Sequence, residues 1–493
     1  MGQRQSSQDE SKELPSTPEI SQPDTDLADE RCFSRLLDLP SELLDQILEY
    51  LSPVSLAKIC QTCKLLNRHG SAERLWKACL EDCTPHNDHS HKPFASWKEM
   101  YSVHYPYWFL PKHKIWFSDK TGLSNPLAGQ LMLARYDYRI GSIEGYRLVA
   151  ENTEFDMFFR WTHDTSIPIH VFEPRVGIFI DDPVVKLDQI AYHPGHGRLQ
   201  QEVKLPRIMF SDQNDFVQSL LFPTTPIPLK HQVPSMALWP PKTIPAPERV
   251  RVESPSSFRD SSHKPSTYEQ MSTTTFRLRT RFNMNLAFRE RWGLSTSPED
   301  VTTFSTILPE YYTPTTEKPY QGIWVGDYSS HGCEFLLIMQ STPEEAQTMT
   351  SVEGQENPPR SIVDTFAPTI EPHLPPPSTP DPPGCTGRLD AIKLTGDPNV
   401  PRGQPSWIAQ DISRTGLVRI AQEPEFRGAR VVRSSGHIAQ PDFRDDAYTP
   451  CHLIMIDEDT LAQYWIVSVI AHTHPLFVPA LRKLADETFF WCV

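Results

Sequence analysis

Several residues in this chain could in principle hold a metal, form a redox pair or attack a substrate. Cys79, Cys83, His86 and His89, with His91 close behind, have the residue types of a zinc site. Their spacing is not that of a standard finger, and Cys79 already fits a helical core position, so a solvated His-rich loop is expected and no metal. Cys60 and Cys63 are spaced like a redox pair but stand at core-facing helical positions, which predicts packing. His472 and His474 have no evident third ligand. No Gly-x-Ser-x-Gly elbow, no phosphate-binding loop with Lys-Ser/Thr and no His-Glu-x-x-His occurs. The chain is therefore read as non-catalytic and without cofactors.

Recognition chemistry is better represented. Thr395 to Gly403 reads as a loop stiffened by Pro398 and Pro401, with Asp397 pushed towards extended backbone by the proline after it. A carboxylate held this way could take donors from a bound peptide at little entropic cost. Asp397 with Arg402 and His331 is the candidate site for a chain end or an extended segment, with Thr395, Asn399 and Trp324 beside it. The competing reading is that Asp397 and Asn399 cap their own turn and that Trp324 and Trp407 are core residues; the two roles can coexist.

The elements that must position these residues follow from periodicity. Residues 1–33 are Ser, Gln, Pro and acidic residues with little to bury, and are expected to be disordered. Dense helical periodicity then begins: Leu43, Leu44, Ile47, Leu48 and Leu51 form one apolar face after Pro40 and Ser41. Ser52-Pro53 starts a second helix through Leu56 and Ile59, and Ser71 can cap a third carrying Leu75 and Trp76. Three helices in a 34–84 unit make a small core that needs a partner or an adjoining domain.

Beyond a helix around Trp97 to Tyr105, short runs of Val, Ile, Phe, Tyr and Trp cut by Gly, Pro, Asn and Asp predict strands, the clearest at 177–180, 276–282, 322–327, 334–339, 389–394, 407–412, 452–456 and 464–470. Gly326 and Gly332 are placed in a hairpin where backbones approach or φ turns positive. Residues 334–339 are apolar on both faces, which predicts a central strand. The expected class is α+β multidomain: a three-helix unit, then a mostly antiparallel β-barrel over 85–340 and 386–493, with Pro-rich inserts at 221–272 and 341–385 and a C-terminal helix over 478–490.

Composition narrows the partners. With 47 Lys+Arg against 62 Asp+Glu the formal charge is -15, which weighs against binding nucleic acid through its phosphates. No apolar run approaches the ~18–20 residues of a spanning helix, and the mean hydropathy is -0.45. The nine cysteines, an odd number in no compact framework, and the lack of a signal peptide suit a reducing cytoplasmic or nuclear setting. Gly2 fits a myristoylation pattern, but acidic residues follow it and a disordered tail is preferred.

The run Leu37-Asp38-Leu39-Pro40-Ser41-Glu42-Leu43-Leu44-Asp45-Gln46-Ile47-Leu48-Glu49-Tyr50-Leu51-Ser52-Pro53, followed by Leu56, Cys60, Cys63, Leu66, Asn67 and Leu75-Trp76, resembles the F-box. The resemblance implies docking on the adaptor Skp1, and through it on a cullin-RING scaffold, by Leu39, Pro40, Leu43, Leu44, Ile47, Leu48, Leu51, Pro53, Leu56, Ile59, Leu75 and Trp76. In the C-terminal half, Gly322 to Glu334, Lys393 to Gln404 and Gly436-His437-Ile438-Ala439 are similar to signatures of the F-box only protein 31 family, substrate receptors of Skp1-cullin-F-box ubiquitin ligases. Such a chain would present protein substrates on its barrel for ubiquitination by partner proteins and degradation. Two alternatives stand beside it: a barrel enclosing a small apolar ligand, and a Skp1 complex acting outside any ligase.

Overall fold

The computed structural model describes residues 35–84, 90–121, 127–152, 158–189 except 166 and 171, 199–205, 217–252 except 229–232 and 235–236, 258, 263–282, 290–293 except 292, 298–345 except 329–330, 380–466 and 480–484. The chain divides into two compact units, residues 1–75 and 76–493. The expected disordered tail, Gly2 and most of the 341–385 insert lie outside the described residues.

The first unit contains α1 (Ser41–Glu49), α2 (Pro53–Ile59), α3 (Lys64–Gly70) and the start of α4 (Glu73–Glu81). Pro40 is the N-cap of α1, and the Ser52 hydroxyl accepts the Ser55 amide at 3.3 Å ahead of α2. The single second helix expected from the sequence is two, broken at Cys63, the N-cap of α3. Ser71 precedes the last helix, which begins at Glu73, and its hydroxyl also donates to Asn67 Oδ1 at 3.1 Å. Leu44, Leu48, Leu56, Leu66 and Leu75 are buried. Gly70 permits the close approach, since a Cβ there would stand 2.7 Å from the Cys60 sulfur. Asp45 ties the helices together, 2.8 Å from His69 Nδ1 and 2.7 Å from Arg74.

The second unit opens with α5 (Trp97–His104), its N-cap Ser96 accepting the Glu99 amide, and α6 (Phe109–His113). Trp76 of α4 packs on Tyr101 of α5 with ring centroids 5.5 Å apart. The strands then follow as β1 (Ile115–Ser118), β2 (Leu131–Asp137), β3 (Ser142–Asn152), β4 (Phe158–Arg160), β5 (Pro168–His170), β6 (Pro174–Phe179), β7 (Val185–Leu187), β8 (Val203–Leu205), β9 (Val217–Pro223), β10 (Leu238–Trp239), β11 (Val250–Arg251), β12 (Thr275–Phe282) and β13 (Glu299–Thr306). After these come β14 (Gly322–Asp327), β15 (Cys333–Ser341), β16 (Arg388–Lys393), β17 (Pro405–Ala409), β18 (Leu417–Ile420), β19 (Arg430–Gln440), β20 (Arg444–Met455), β21 (Thr460–Trp465) and β22 (Ala480–Lys483).

These strands form two large sheets where the sequence suggested one barrel. The first runs β6-β3-β2-β1-β13-β12-β9-β8, with β7 also on β3. The second runs β17-β16-β15-β14-β22-β21-β20-β19 and closes into an eight-stranded antiparallel barrel through the β17–β19 pairing, with β18 added on β19. Its interior is filled by side chains, among them Trp324, Leu336, Ile338, Trp407, Leu453 and Leu461. The outer face of β14–β16 packs on the first sheet: Ile323, Val325, Phe335 and Leu337 share a core with Ile115 and Phe117. Strand β15 is thus apolar on both faces because each face meets a different core.

Two expectations are overturned. Residues 480–483, part of the C-terminal helix placed over 478–490 on the spacing of Leu481, Leu484, Ala485 and Phe489, are strand β22; Leu481 points into the barrel and the Leu484 amide continues the ladder to the Ile323 carbonyl. Residues 478–479 and 485–490 of that segment lie outside the described residues. The 221–272 segment is not a spacer either, for Trp239, Ile244 and Val250 lie in the core shared by the two sheets. Its prolines hide that role by suppressing every strand signal except short ones.

Candidate functional site

Two surfaces carry the residues singled out in the sequence. In the first unit the helical face divides in two. Leu44 and Leu48 turn inward at 2% and 3% exposure, while Leu43 at 45% and Ile47 at 42% face outward, continuous in sequence with exposed Leu36, Leu37 and Tyr50. Pro40 is exposed, Leu39, Leu51, Pro53 and Ile59 are half-buried, and Leu56, Leu75 and Trp76 are buried. An outward apolar strip on helices this short is surface held ready for a partner.

The second surface is built around one end of the closed barrel. Alternation along β15 places Glu334 on the side of Leu336 and Ile338, and along β16 places Lys393 on the side of Leu389 and Ala391, both towards the barrel interior. Lys393 is buried between two carboxylates, pairing with Asp397 and lying 2.7 Å from Glu334. Its ammonium also sits 4.4 Å from the centre of the Tyr328 ring, whose hydroxyl bonds Ser406. The ionic group therefore plugs the barrel where its aliphatic filling ends.

Asp397 is the hub of the loop above that plug. Its Oδ1 accepts the Asn399 and Val400 amides at 2.6 and 2.7 Å, an Asx-type turn, and its Oδ2 meets Lys393. Thr395 Oγ1 accepts the Phe335 amide at 2.8 Å, and Asn399 Nδ2 donates to the Ala439 carbonyl at 2.8 Å. At Gly396 a Cβ would stand 2.3 Å from the Arg402 amide nitrogen, so the turn closes only on glycine. The Arg402 amide donates to the Leu127 carbonyl at 3.0 Å and its guanidinium lies 5.9 Å from the Trp239 ring, towards the first sheet.

The grouping of Asp397, Arg402 and His331 as one binding site needs correction. At 7% exposure the Asp397 carboxylate is enclosed and fully engaged; it shapes the loop and is not presented to a ligand. Arg402 faces the first sheet, and His331 is exposed on the β14–β15 hairpin, where the Tyr328 amide reaches the Gly332 carbonyl and Gly332 takes φ +82°. Trp324 is buried in the barrel with its indole N–H on the Tyr320 carbonyl at 3.0 Å, so it is core and not pocket lining. What remains reachable is the rim formed by exposed Pro398 and half-buried Asn399, together with His331 on the hairpin. Glu334 and Lys393 were missed as functional positions. The available signal was a charge at an inward register on each of two otherwise apolar strands.

One ammonium cannot neutralise two buried carboxylates, and Asp397 holds the advantage of two backbone donors. Lys393 and those amides keep the Asp397 carboxyl below its ordinary value despite burial, whereas burial pushes the Glu334 carboxyl up to about 8. Between about 4.5 and 8 the folded chain then holds a proton on Glu334 that the unfolded chain has released, so this group's contribution to stability falls as pH rises through that window. Buried His113 and His452, held down to about 4, act in the opposite sense between about 4 and 6.5. The difference between wild type and Glu334→Gln isolates the carboxyl: urea midpoints should show the wild type losing stability relative to the variant from about pH 5 to about pH 8. Parallel curves would place Glu334 as a permanent anion.

Cys60 is buried beside Gly70, and both Cys60 and Cys63 are free thiols. Burial raises the thiol pKa of Cys79, and that of Cys83 to about 12, which opposes thiolate ligation. His86, His89, His472 and His474 lie outside the described residues.

Residues 36–80, α1 to α4, match the family model described as F-box-like. Residues 304–474 match the model described as Cyclin D1 binding domain, a span that contains the first seven barrel strands, β14 to β17 and β19 to β21, together with β18, but stops short of β22. No curated protein matches the chain. The chain thus carries an F-box-like domain ahead of the region that holds the closed barrel.

Proposed function

We propose that this chain is the substrate-recognition subunit of a Skp1-cullin-F-box ubiquitin ligase, of the F-box only protein 31 type, working in the cytoplasm or nucleus. The observation that carries the reading is the F-box-like match over 36–80 together with the outward strip of Leu43 and Ile47. The helices would dock on Skp1, and Skp1 would bring the cullin and its RING subunit. Ubiquitin transfer would belong to those partners, with this chain supplying proximity and orientation. The C-terminal match points to a protein substrate of the cyclin class, and we assign its capture to the barrel region, with His331, Pro398 and Asn399 as contact positions. The enclosed Asp397, Thr395 and Arg402 would hold that rim in shape.

A small apolar ligand inside the closed barrel is disfavoured, because Trp324 and Trp407, both at 0% exposure, and their neighbours occupy the interior. Affinity purification of the tagged full chain tests the ligase reading. Skp1 and cullin together are the expected companions; Skp1 without cullin would favour a complex acting outside a ligase, and neither would refute the assignment.

A further inference from the structure

The first sheet lines a half-open cavity of about 270 Å3 that the ligase reading does not use. It lies between the β3 and β6 limb of the sheet and the β9, β12 and β13 limb, at the level where Arg147 pairs with Phe179 and Thr280 pairs with Asp300. The side chains that face it on β12 are alternate residues, Leu278, Thr280 and Phe282, so one face of a regular strand lines it.

Some of its polar groups have no protein partner among the described residues. Arg147 lies over the Phe179 ring at 5.1 Å, yet its buried Nε has no hydrogen-bond partner among the described residues. The buried Thr121 hydroxyl, also on the cavity wall, has none either. Asp300 is already neutralised by Lys120. Asp182, in the turn after β6, is a second carboxylate on the wall and forms no ion pair among the described residues. The cavity therefore offers one cation with unpaired donors, one anion, and apolar wall from Phe179, Leu278 and Phe282. Leaving buried donors unmatched is unfavourable, and a fitting ligand recovers that cost.

We propose that this cavity binds a small zwitterion of the α-amino-acid class. Its carboxylate meets Arg147 and Thr121, its ammonium meets Asp182, and its side chain lies against the apolar wall. A simple anion would satisfy Arg147 but face two carboxylates, and a simple cation would leave the guanidinium unmatched. The volume is below the ~300–1,000 Å3 of pockets for drug-sized molecules, which fits a single amino acid. The site is distinct from the barrel rim, so it stands whatever the substrate proves to be.

The test is isothermal titration of the purified full chain with each of the common L-amino acids, followed by the N-acetyl and C-amide derivatives of any that binds. A sub-millimolar Kd is expected for at least one apolar or aromatic member. Each derivative should bind at least ~10-fold more weakly, as should Arg147→Met and Asp182→Asn. No binding by any amino acid would overturn the proposal. So would equal binding of either derivative, a result that does not depend on how the variants fold, or wild-type affinity in both variants.

Discussion

On the proposed docking, a chain carrying Leu43→Arg and Ile47→Arg should fail to retain Skp1 while both units stay folded. Each side chain is more than two-fifths exposed, so an arginine there meets water in the free chain and costs little. In a docked complex the same arginines would be desolvated against an apolar helical surface. At about 2 kcal/mol for each anchor lost, the double change weakens binding by about 4 kcal/mol, on the order of a thousandfold. Leu44→Arg with Leu48→Arg is the instructive contrast, since it drives charges into the helical core and should remove helical circular dichroism as well as Skp1. Retention of Skp1 by the Leu43/Ile47 variant at wild-type affinity would rule out the exposed strip as the docking face.

Lys393→Met should be among the most damaging single changes in the barrel. It leaves the Asp397 carboxylate without its cation beside a protonated Glu334, in a site where both are nearly sealed from water. Breaking a buried pair from one side costs about 3–5 kcal/mol. The loop from Thr395 to Gly403 would lose its anchor at the same time. Urea unfolding at neutral pH followed by tryptophan fluorescence should show a midpoint shift of that size, and adding Asp397→Asn should restore most of it by removing the stranded charge. A loss below about 1 kcal/mol would mean that water reaches the plug. Skp1 binding should be untouched, while substrate capture falls with the loop.

Much of the architecture was legible because it is written in local chemistry. The Ser52-Pro53 cap, the α5 segment and β14 sit where turn residues and period alone place them. The two-sided apolar character of β15 correctly indicated burial on both faces. Periodicity could not say which of Leu43, Leu44, Ile47 and Leu48 turns inward, because adjacent positions on a helix differ by only about 100° and the direction of the core is a tertiary fact. Nor could it separate two sheets from one barrel, since strand partners are chosen across the chain. At the candidate site the reading of Asp397 and Asn399 as caps of their own turn agrees with the structure, where Asp397 Oδ1 takes the Asn399 and Val400 amides. The ionic plug was not legible, because the approach of Glu334 to Lys393 exists only once β15 and β16 lie side by side.

The place of β22 governs the order in which the barrel can be made. This strand of four residues sits between β14 and β21, bonded to each, so the first and penultimate strands of the closed path never touch except through it. During synthesis every other barrel strand is made before residues 480–483. Until then the nascent sheet is a curl with a gap, its β14 and β21 edges both unpaired and open to strand exchange with another chain. Truncation before residue 480 would make that exposure permanent.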